Sequence, residues 1–188
     1  MKITKYDPFV MTIDNALDDS ICDAIIQRFE KDISHFTPRH LDGVRDFTEI
    51  NVSATEGWED VHALLAHKVT EMCTIFHQQF HLPEYAWQQP YALEQIRMKR
   101  YMNNGADQFG PHVDVGSVQS SSRFLVCFWY LNDVAEGGET AFLWQNEVAV
   151  KPKRGRAILF PPMWTHPHEG RTPISNPKYI IGSYARYV

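Results

Sequence analysis

Apolar residues recur at three- and four-residue steps in two segments of the first 85 residues. The first segment follows the polar run at 18–20, whose side chains suit a helix N-cap, and it predicts a helix over residues 19–31. The second runs from Trp58 to Phe80 and predicts a long helix that backs a sheet. The stretch PFVMTIDNAL before the first helix predicts a short strand. Residues 33–56 are mixed and polar, and they predict two short strands.

From about residue 88 the apolar pattern changes to a period of two, which is typical of β-strands. The strand-like stretches are ALEQIRMKRYM, RFLVCFWYL, TAFLW, VAVKP, RAILFP and KYIIGSYARYV, and the segments between them are rich in turn residues, as in NNGAD and NDVAEGG. Two helices followed by six or more strands predict an α+β fold, a β-sandwich or barrel with the helices packed on one sheet. Neither part could bury its apolar face alone. We therefore predict one domain over residues 1–188, with helical support in 1–85 and a β core in 86–188.

Composition and charge narrow the class of protein. The chain has 188 residues and a net charge of −5. An acidic net charge argues weakly against nucleic acid as the main partner, but it is compatible with a local basic groove. No stretch approaches the roughly 20 apolar residues that span a bilayer, and the first residues lack the apolar run of a signal peptide. A cytoplasmic protein with no membrane partner is the expectation. Three cysteines, far apart and in apolar contexts, predict buried free thiols: Cys22, Cys73 and Cys127.

The stretch FGPHVDVG contains the most suggestive chemistry in the chain. Alternation along a strand would direct His112 and Asp114 to the same face. Two histidines and one carboxylate on one face of an iron(II) ion are common in enzymes that activate oxygen. A third ligand would have to come from FPPMWTHPHEG, where His166 and His168 are both candidates. A zinc hydrolase using the same ligands, and a non-catalytic jelly-roll binding module, stay open at this point.

A longer pattern surrounds this motif. Downstream of the H-x-D motif come YLN, GGETAF, PKRGRAILF, the late histidines and a lysine in NPKYII, and upstream VMTIDNALDDSICDAII opens the chain. In order and spacing, residues from about 101 to 184 resemble the prolyl-4-hydroxylase-like branch of the Fe(II)- and 2-oxoglutarate-dependent oxygenases. The resemblance implies a double-stranded β-helix, a jelly-roll-like core that agrees with the predicted strands.

The resemblance also implies cofactors and a ligand set. Fe(II), 2-oxoglutarate and O2 are expected, with ascorbate as a candidate reductant. The basic residue that pairs with the far carboxylate of 2-oxoglutarate usually follows the second histidine by about ten residues, so Lys178 selects His168 over His166 as ligand. The implied metal ligands and catalytic residues are His112, Asp114 and His168. Tyr130 and Tyr101 match tyrosines that line the cosubstrate pocket.

The implied reaction is hydroxylation of an unactivated C–H bond, and a prolyl residue in a protein or peptide is the expected substrate. A free amino acid or another small molecule is the alternative substrate. Asp114 favours hydroxylation, since halogenating relatives carry a small residue there. Arg171 followed by Lys178 does not match the two arginines of nucleic-acid demethylases. Arg123 matches a position that faces substrate in some relatives. Tyr184 stands where prolyl hydroxylases commonly have tryptophan, and residues 33–56 occupy the place of a substrate-covering loop.

Overall fold

The computed structural model describes residues 1–6, 8–87, 89–144 and 148–188, and it contains both predicted helices. Helix α1 spans Asp19–Lys31, the predicted range, and helix α2 spans Glu59–Gln79. Both bury one stripe of apolar side chains, which in α2 runs from Val61 to Phe76. Within the described residues, neither helix is long and apolar enough to cross a membrane.

Thirteen strands lie in the rest of the described chain. The N-terminal strands are β1 Lys2–Tyr6, β2 Val10–Asp14, β3 Thr37–Leu41 and β4 Arg45–Asn51. The later ones are β5 Tyr91–Leu93, β6 Arg97–Tyr101, β7 Gln108–His112, β8 Arg123–Tyr130, β9 Thr140–Phe142, β10 Ala149–Val150, β11 Ala157–Phe160, β12 His168–Gly170 and β13 Lys178–Tyr187. Each strand-like stretch of the C-terminal half therefore contains a strand. The sequence pattern missed β1 and the three-residue β12.

The strands form one curled, largely antiparallel sheet, as in a double-stranded β-helix. Its order is β1-β2-β11-β8-β13-β6-β4-β7-β12-β9-β10, with β3 paired to β4 and β5 paired to β13. The mostly β architecture with two helices confirms the predicted fold class. Strands β7, β12 and β9 lie side by side in this curl, although they are far apart in sequence.

Strand β8 explains why the sheet has two cores. Its residues alternate between faces, as the pleat of any β-strand requires. Leu125, Cys127 and Trp129 join the large core beneath α1 and α2, whereas Val126 and Tyr130 join a smaller core inside the curl. The inner core is continued by Phe142 and Phe160 from β9 and β11. The predicted packing of helices on one sheet face is thereby confirmed, and the inner face is left for the site.

The segment 33–56, expected as a covering loop, contains a hairpin of β3 and β4. One edge of β4 pairs with β3, and the opposite edge pairs with β6 along residues 48–51 and with β7 through Arg45 and Asp46. The hairpin turn approaches β7 at Gly110, whose N–H donates to the carbonyl of Val44 at 2.6 Å. A Cβ at position 110 would lie 3.2 Å from that oxygen, so a side chain there would push the hairpin away from β7.

All three cysteines are buried and free, as predicted. Cys22 lies on α1, Cys73 on α2 and Cys127 on β8. Burial raises the pKa of the Cys22 thiol to about 11 and that of Cys73 to about 12. These thiols are therefore protonated at neutral pH and act as small apolar side chains.

Candidate active site

Two histidines meet across adjacent strands of the inner sheet. His168 on β12 is the direct partner of His112 on β7, and their ring centroids are 4.3 Å apart. Asp114 lies two residues beyond His112, just past the end of β7. Its carboxylate oxygens are 3.8 Å from Nε2 of His112 and 3.5 Å from Nε2 of His168. The three side chains form a cluster that could hold a metal ion.

The backbone orients both imidazoles toward the centre of this cluster. Nδ1 of His112 donates to the carbonyl of Gly110 at 2.8 Å, and Nδ1 of His168 donates to the carbonyl of His166 at 3.0 Å. Each ring therefore carries its proton on Nδ1 and presents the lone pair of Nε2. Burial, together with the neighbouring His168 ring, lowers the pKa of His112 to about 4. His112 is thus neutral at physiological pH, which is the form that binds metal.

His166, the other candidate of the sequence pattern, points elsewhere. It is buried, and its Nε2 donates to the carbonyl of Pro8 at 2.8 Å. Its backbone carbonyl, rather than its ring, serves the site by accepting the hydrogen bond from His168.

The position of Asp114 differs from the simple expectation for a strand. Strand β7 ends at His112, so Asp114 is not held by strand pairing. Its N–H donates to the carbonyl of Pro162 at 3.1 Å, and its own carbonyl accepts from Arg123 at 3.0 Å. Its Oδ1 accepts from the hydroxyl of Tyr184 at 2.7 Å. Contacts from distant parts of the chain therefore fix this carboxylate, whereas the same-face argument correctly brought it near His112.

Behind the cluster lies a narrow cavity of about 60 Å³ that ends at Lys178. Lys178 is only 2% exposed, and its Nζ donates to the carbonyls of Gly138 and Arg171 at 3.1 and 3.3 Å. Within the described residues no carboxylate forms a salt bridge with it. Burial lowers the pKa of Lys178 to about 7, partly opposed by Glu139. A buried cation without a counter-charge suits a ligand that brings a carboxylate.

The two tyrosines expected in this pocket have different positions. Tyr101 lines the cavity and is the strand partner of Lys178, whose Nζ lies 4.4 Å from its ring centroid. Tyr130 is completely buried, and its hydroxyl donates to the hydroxyl of Thr140 at 2.6 Å. Thr140 lines the cavity, so Tyr130 contacts the pocket through it. The sequence pattern missed Thr140, although GGETAF contains it.

In front of the cluster a larger groove of about 740 Å³ opens. Arg123 and Tyr184, the expected substrate residues, both line it, and the Arg123 guanidinium lies 4.1 Å from the Tyr184 ring centroid. Glu94 holds Arg123 in a two-point ion pair at 2.9 and 2.8 Å. Lys99 lines both the groove and the inner cavity, and it was missed. The sequence spacing could have indicated it, because Lys99 lies two residues before Tyr101 and therefore on the same face of β6.

The residues fit an iron(II) site with a dicarboxylate pocket. Two imidazoles that present Nε2 and one carboxylate converge from one side, and a metal bound by them would have coordination positions open toward the cavity and the groove. These features define the class as a non-haem iron oxygenase rather than a closed structural metal site.

Comparison with known proteins places the chain more narrowly. Residues 96–186 match the model of the 2OG-Fe(II) oxygenase superfamily, a segment that includes all three residues of the cluster and Lys178. The matched segment is just under half of the chain and contains the whole metal cluster, and it identifies the protein as a 2-oxoglutarate-dependent dioxygenase that uses Fe(II), 2-oxoglutarate and O2. No curated protein matches the sequence significantly.

Several solved structures share the fold. The viral collagen prolyl hydroxylase of Paramecium Bursaria Chlorella virus-1, in complex with 2-oxoglutarate, is 21% identical with a TM-score of 0.71, over 97% of this chain and 98% of that one. A Trichoplax adhaerens prolyl hydroxylase, in complex with a hypoxia-inducible-factor peptide, is 16% identical with a TM-score of 0.78, over 96% and 84%. A Pseudomonas putida prolyl-4-hydroxylase is 16% identical with a TM-score of 0.66, over 95% and 92%. At 16–21% identity, these similarities show that the chain has the same fold as these structures.

Proposed function

We propose that the enzyme hydroxylates a prolyl residue in a protein or peptide. The observation that carries the proposal is the His112, Asp114 and His168 cluster, with the buried Lys178 cavity on one side and a long open groove on the other. The structural neighbours named above include a prolyl hydroxylase in complex with a peptide, which supports an extended substrate for this groove.

In this proposal His112, Asp114 and His168 bind Fe(II). The hydrogen bonds from Nδ1 of each histidine hold the rings in place and make Nε2 the better donor to the metal. Tyr184 plays a second role beyond the expected contact with substrate, because its hydroxyl orients the carboxylate of Asp114. Burial raises the pKa of Tyr184, with Asp114 adding to the effect, so the hydroxyl remains a donor.

Lys178 binds the far carboxylate of 2-oxoglutarate. Tyr101 and Thr140 line the same cavity, and Tyr130 fixes the Thr140 hydroxyl. Aromatic and aliphatic walls from Phe128, Phe160 and their neighbours exclude water from the cavity. Exclusion of water strengthens the ion pair that Lys178 makes with the cosubstrate.

The reaction consumes one O2 and one 2-oxoglutarate. One oxygen atom enters the substrate C–H bond as a hydroxyl group, and the other enters succinate as carbon dioxide is released. The bound iron and cosubstrate supply the oxidising power, whereas the protein positions the C–H bond and excludes other reductants. Arg123, fixed by Glu94, and Tyr184 form part of the groove wall beside Asp114.

The remaining assignments are part of the same proposal. We infer that residues 1–188 form one oxygenase domain, because β2 pairs with β11 and β4 pairs with β6 and β7. A cytoplasmic location agrees with three buried free thiols. A free amino acid or another small molecule is the second candidate substrate.

Turnover measurements test the proposal. The purified enzyme is supplied with Fe(II), 2-oxoglutarate, O2 and ascorbate, together with a panel of proline-containing peptides or free L-proline. We expect stoichiometric succinate and a gain of one oxygen atom on a prolyl residue of a peptide. The Asp114→Ala variant should give neither product. Hydroxylation of free proline alone would establish the small-molecule alternative, and succinate with no hydroxylated prolyl compound in the panel would contradict the prolyl assignment.

A further inference from the structure

The groove in front of the metal cluster is strongly basic, although the chain has a net charge of −5. Three carboxylates line it, those of Glu49, Glu94 and Asp114. Six cationic side chains line it as well: Arg39, Arg45, Arg97, Lys99, Arg123 and Arg186. Positive charge is thus concentrated where the substrate would bind.

Only three of these six cations form an ion pair with a carboxylate of a described residue. Glu94 binds Arg123 in the two-point pair described above. Glu49, which is only 4% exposed, accepts from both Arg39 and Arg97 at 2.7 and 2.6 Å. One negative charge is therefore shared between two guanidinium groups, and a positive charge remains.

The other half have no acidic partner within the part of the chain that the structure describes. Arg45 lies on β4 beside Phe109 of β7, and its Nε is buried without a hydrogen-bond partner. A buried guanidinium nitrogen of this kind is costly unless a ligand satisfies it. Arg186, near the end of β13, is exposed and lines the same groove.

Lys99 occupies the junction between the groove and the cosubstrate cavity. Its Nζ lies 5.0 Å from the ring centroid of Phe47 and 5.4 Å from that of Phe109, and Phe109 stacks on His112 at 3.5 Å. Burial lowers the pKa of Lys99, with Asp114 and Glu49 opposing that effect. The ammonium group is therefore one ring away from a metal ligand and contacts aromatic faces in place of an anion.

We propose that Lys99, Arg45 and Arg186 determine substrate specificity by binding carboxylates of an acidic peptide segment around the hydroxylated residue. Lys99 takes the carboxylate nearest the reacting residue, and Arg45 and Arg186 take those farther along the groove. Guanidinium groups bind carboxylates through paired hydrogen bonds, which fixes the direction of the peptide as well as its affinity. This inference rests on the proposed function and adds the chemistry of its substrate.

A free small molecule would satisfy this arrangement less well. Three unpaired cations are spread along a groove of about 740 Å³, whereas a free amino acid has a single α-carboxylate. Several carboxylates at peptide spacing match several cations. The far carboxylate of 2-oxoglutarate already has Lys178 on β13, so Lys99 is available to the substrate.

The experiment measures peptide binding to the anaerobic enzyme loaded with Fe(II) and 2-oxoglutarate, where turnover cannot occur. Two fluorescent heptapeptides share a central Pro-Ala, flanked in one by Asp and Glu and in the other by Asn and Gln. We expect the acidic peptide to bind at least about tenfold more tightly at low salt, and this preference to shrink as ionic strength rises. The visible spectrum of the same sample shows whether the metal and 2-oxoglutarate are bound, so a failure of the oxygenase assignment is recognised separately.

Charge-removing variants assign the preference to the groove. Lys99→Met and Arg45→Gln should each weaken the acidic peptide about tenfold and leave the neutral peptide unchanged. Lys31→Met removes one exposed charge at the end of α1 and serves as the control, with no expected effect.

Three outcomes would overturn the proposal. Equal affinity for the two peptides, or no binding of either by a correctly loaded enzyme, would remove acidic specificity. Loss of 2-oxoglutarate affinity in Lys99→Met with an unchanged peptide preference would assign this lysine to the cosubstrate. Displacement of the acidic peptide by free L-proline or by a short oligothymidylate at equal concentration would assign the groove to another kind of anion.

Discussion

The two spaces on either side of the metal cluster differ in size, polarity and charge. The inner cavity, about 60 Å³, has several apolar and aromatic side chains in its lining and ends at the buried Lys178. The outer groove, about 740 Å³, is open and lined by six cations and three carboxylates. His112 and Asp114 line both spaces, and His168 lines the inner cavity.

This difference separates the part of the site that any 2-oxoglutarate oxygenase needs from the part that selects a substrate. The inner cavity must hold one small dicarboxylate, so one cation at a fixed depth is sufficient. The groove must recognise a longer molecule, so its charges are distributed. Substitutions in the inner cavity should therefore change the dissociation constant of 2-oxoglutarate, and substitutions in the groove should change that of the substrate.

Loss of a cluster histidine should have the largest effect. His168→Ala removes one of three metal ligands. Loss of a residue that only hydrogen-bonds to a ligand lowers metal affinity by up to about 100-fold, so we expect metal affinity and turnover to fall by more than about 100-fold here. Metal titration by calorimetry and succinate formation would measure both. His166→Gln is the matched control, because it keeps the backbone carbonyl that His168 uses. A large loss in His166→Gln with metal affinity retained in His168→Ala would show that the wrong histidine had been assigned.

Removal of the buried cation should disable the inner cavity alone. Lys178→Met leaves the far carboxylate of 2-oxoglutarate unpaired in an apolar site, so its dissociation constant should rise about 30-fold or more. Metal affinity should stay within a factor of about two. Calorimetric titration with 2-oxoglutarate measures the effect, with Lys31→Met as a charge control. Unchanged 2-oxoglutarate binding in Lys178→Met would contradict the assignment of this cavity.

A smaller effect should follow from the residue that connects the two spaces. Tyr184→Phe removes the hydroxyl that donates to Asp114 Oδ1 at 2.7 Å, so metal affinity should fall about tenfold. Tyr85→Phe, at a position 93% exposed, is the control. If Tyr184→Phe changed peptide binding and left metal affinity intact, Tyr184 would belong only to the groove.

The smallest expected effect is a pH dependence of 2-oxoglutarate binding. The pKa of Lys178 is lowered to about 7 by burial, so the free enzyme loses this proton as pH rises through 7. The carboxylate needs the cationic form, so binding takes up a proton and weakens above pH 7, approaching about tenfold per unit. Lys178→Arg keeps its charge and should give a flat profile. A flat profile in the unsubstituted enzyme would contradict the lowered pKa.

Local pattern was sufficient to predict much of the fold. Strand β8 is a continuous apolar run because both of its faces are buried, whereas the helical stripe of α2 reflects burial of one face. Both patterns can be read from residues only a few positions apart in the sequence. Strand β12 was missed because three residues between proline-rich segments carry no period. It exists through its pairing with β7 and β9 on either side.

The site was predicted to the extent that its residues have fixed spacing. His112, His168 and Lys178 lie where the motifs implied, because adjacent strands hold them in register. The setting of Asp114 depends on Pro162, Arg123 and Tyr184, which no local pattern connects. The charge of the groove was likewise hidden, since its cations come from β3, β4, β6, β8 and β13 and meet only in the folded chain.

The visible spectrum of the anaerobic enzyme tests whether the cluster of His112, Asp114 and His168 binds Fe(II) together with 2-oxoglutarate. The apo-protein is mixed with Fe(II) and 2-oxoglutarate in the absence of O2. We predict a metal-to-ligand charge-transfer band that requires protein, metal and cosubstrate together and is lost in His168→Ala and in Lys178→Met. If the protein gives no such band, and retains zinc or binds no metal, the assignment of an Fe(II) and 2-oxoglutarate site is wrong.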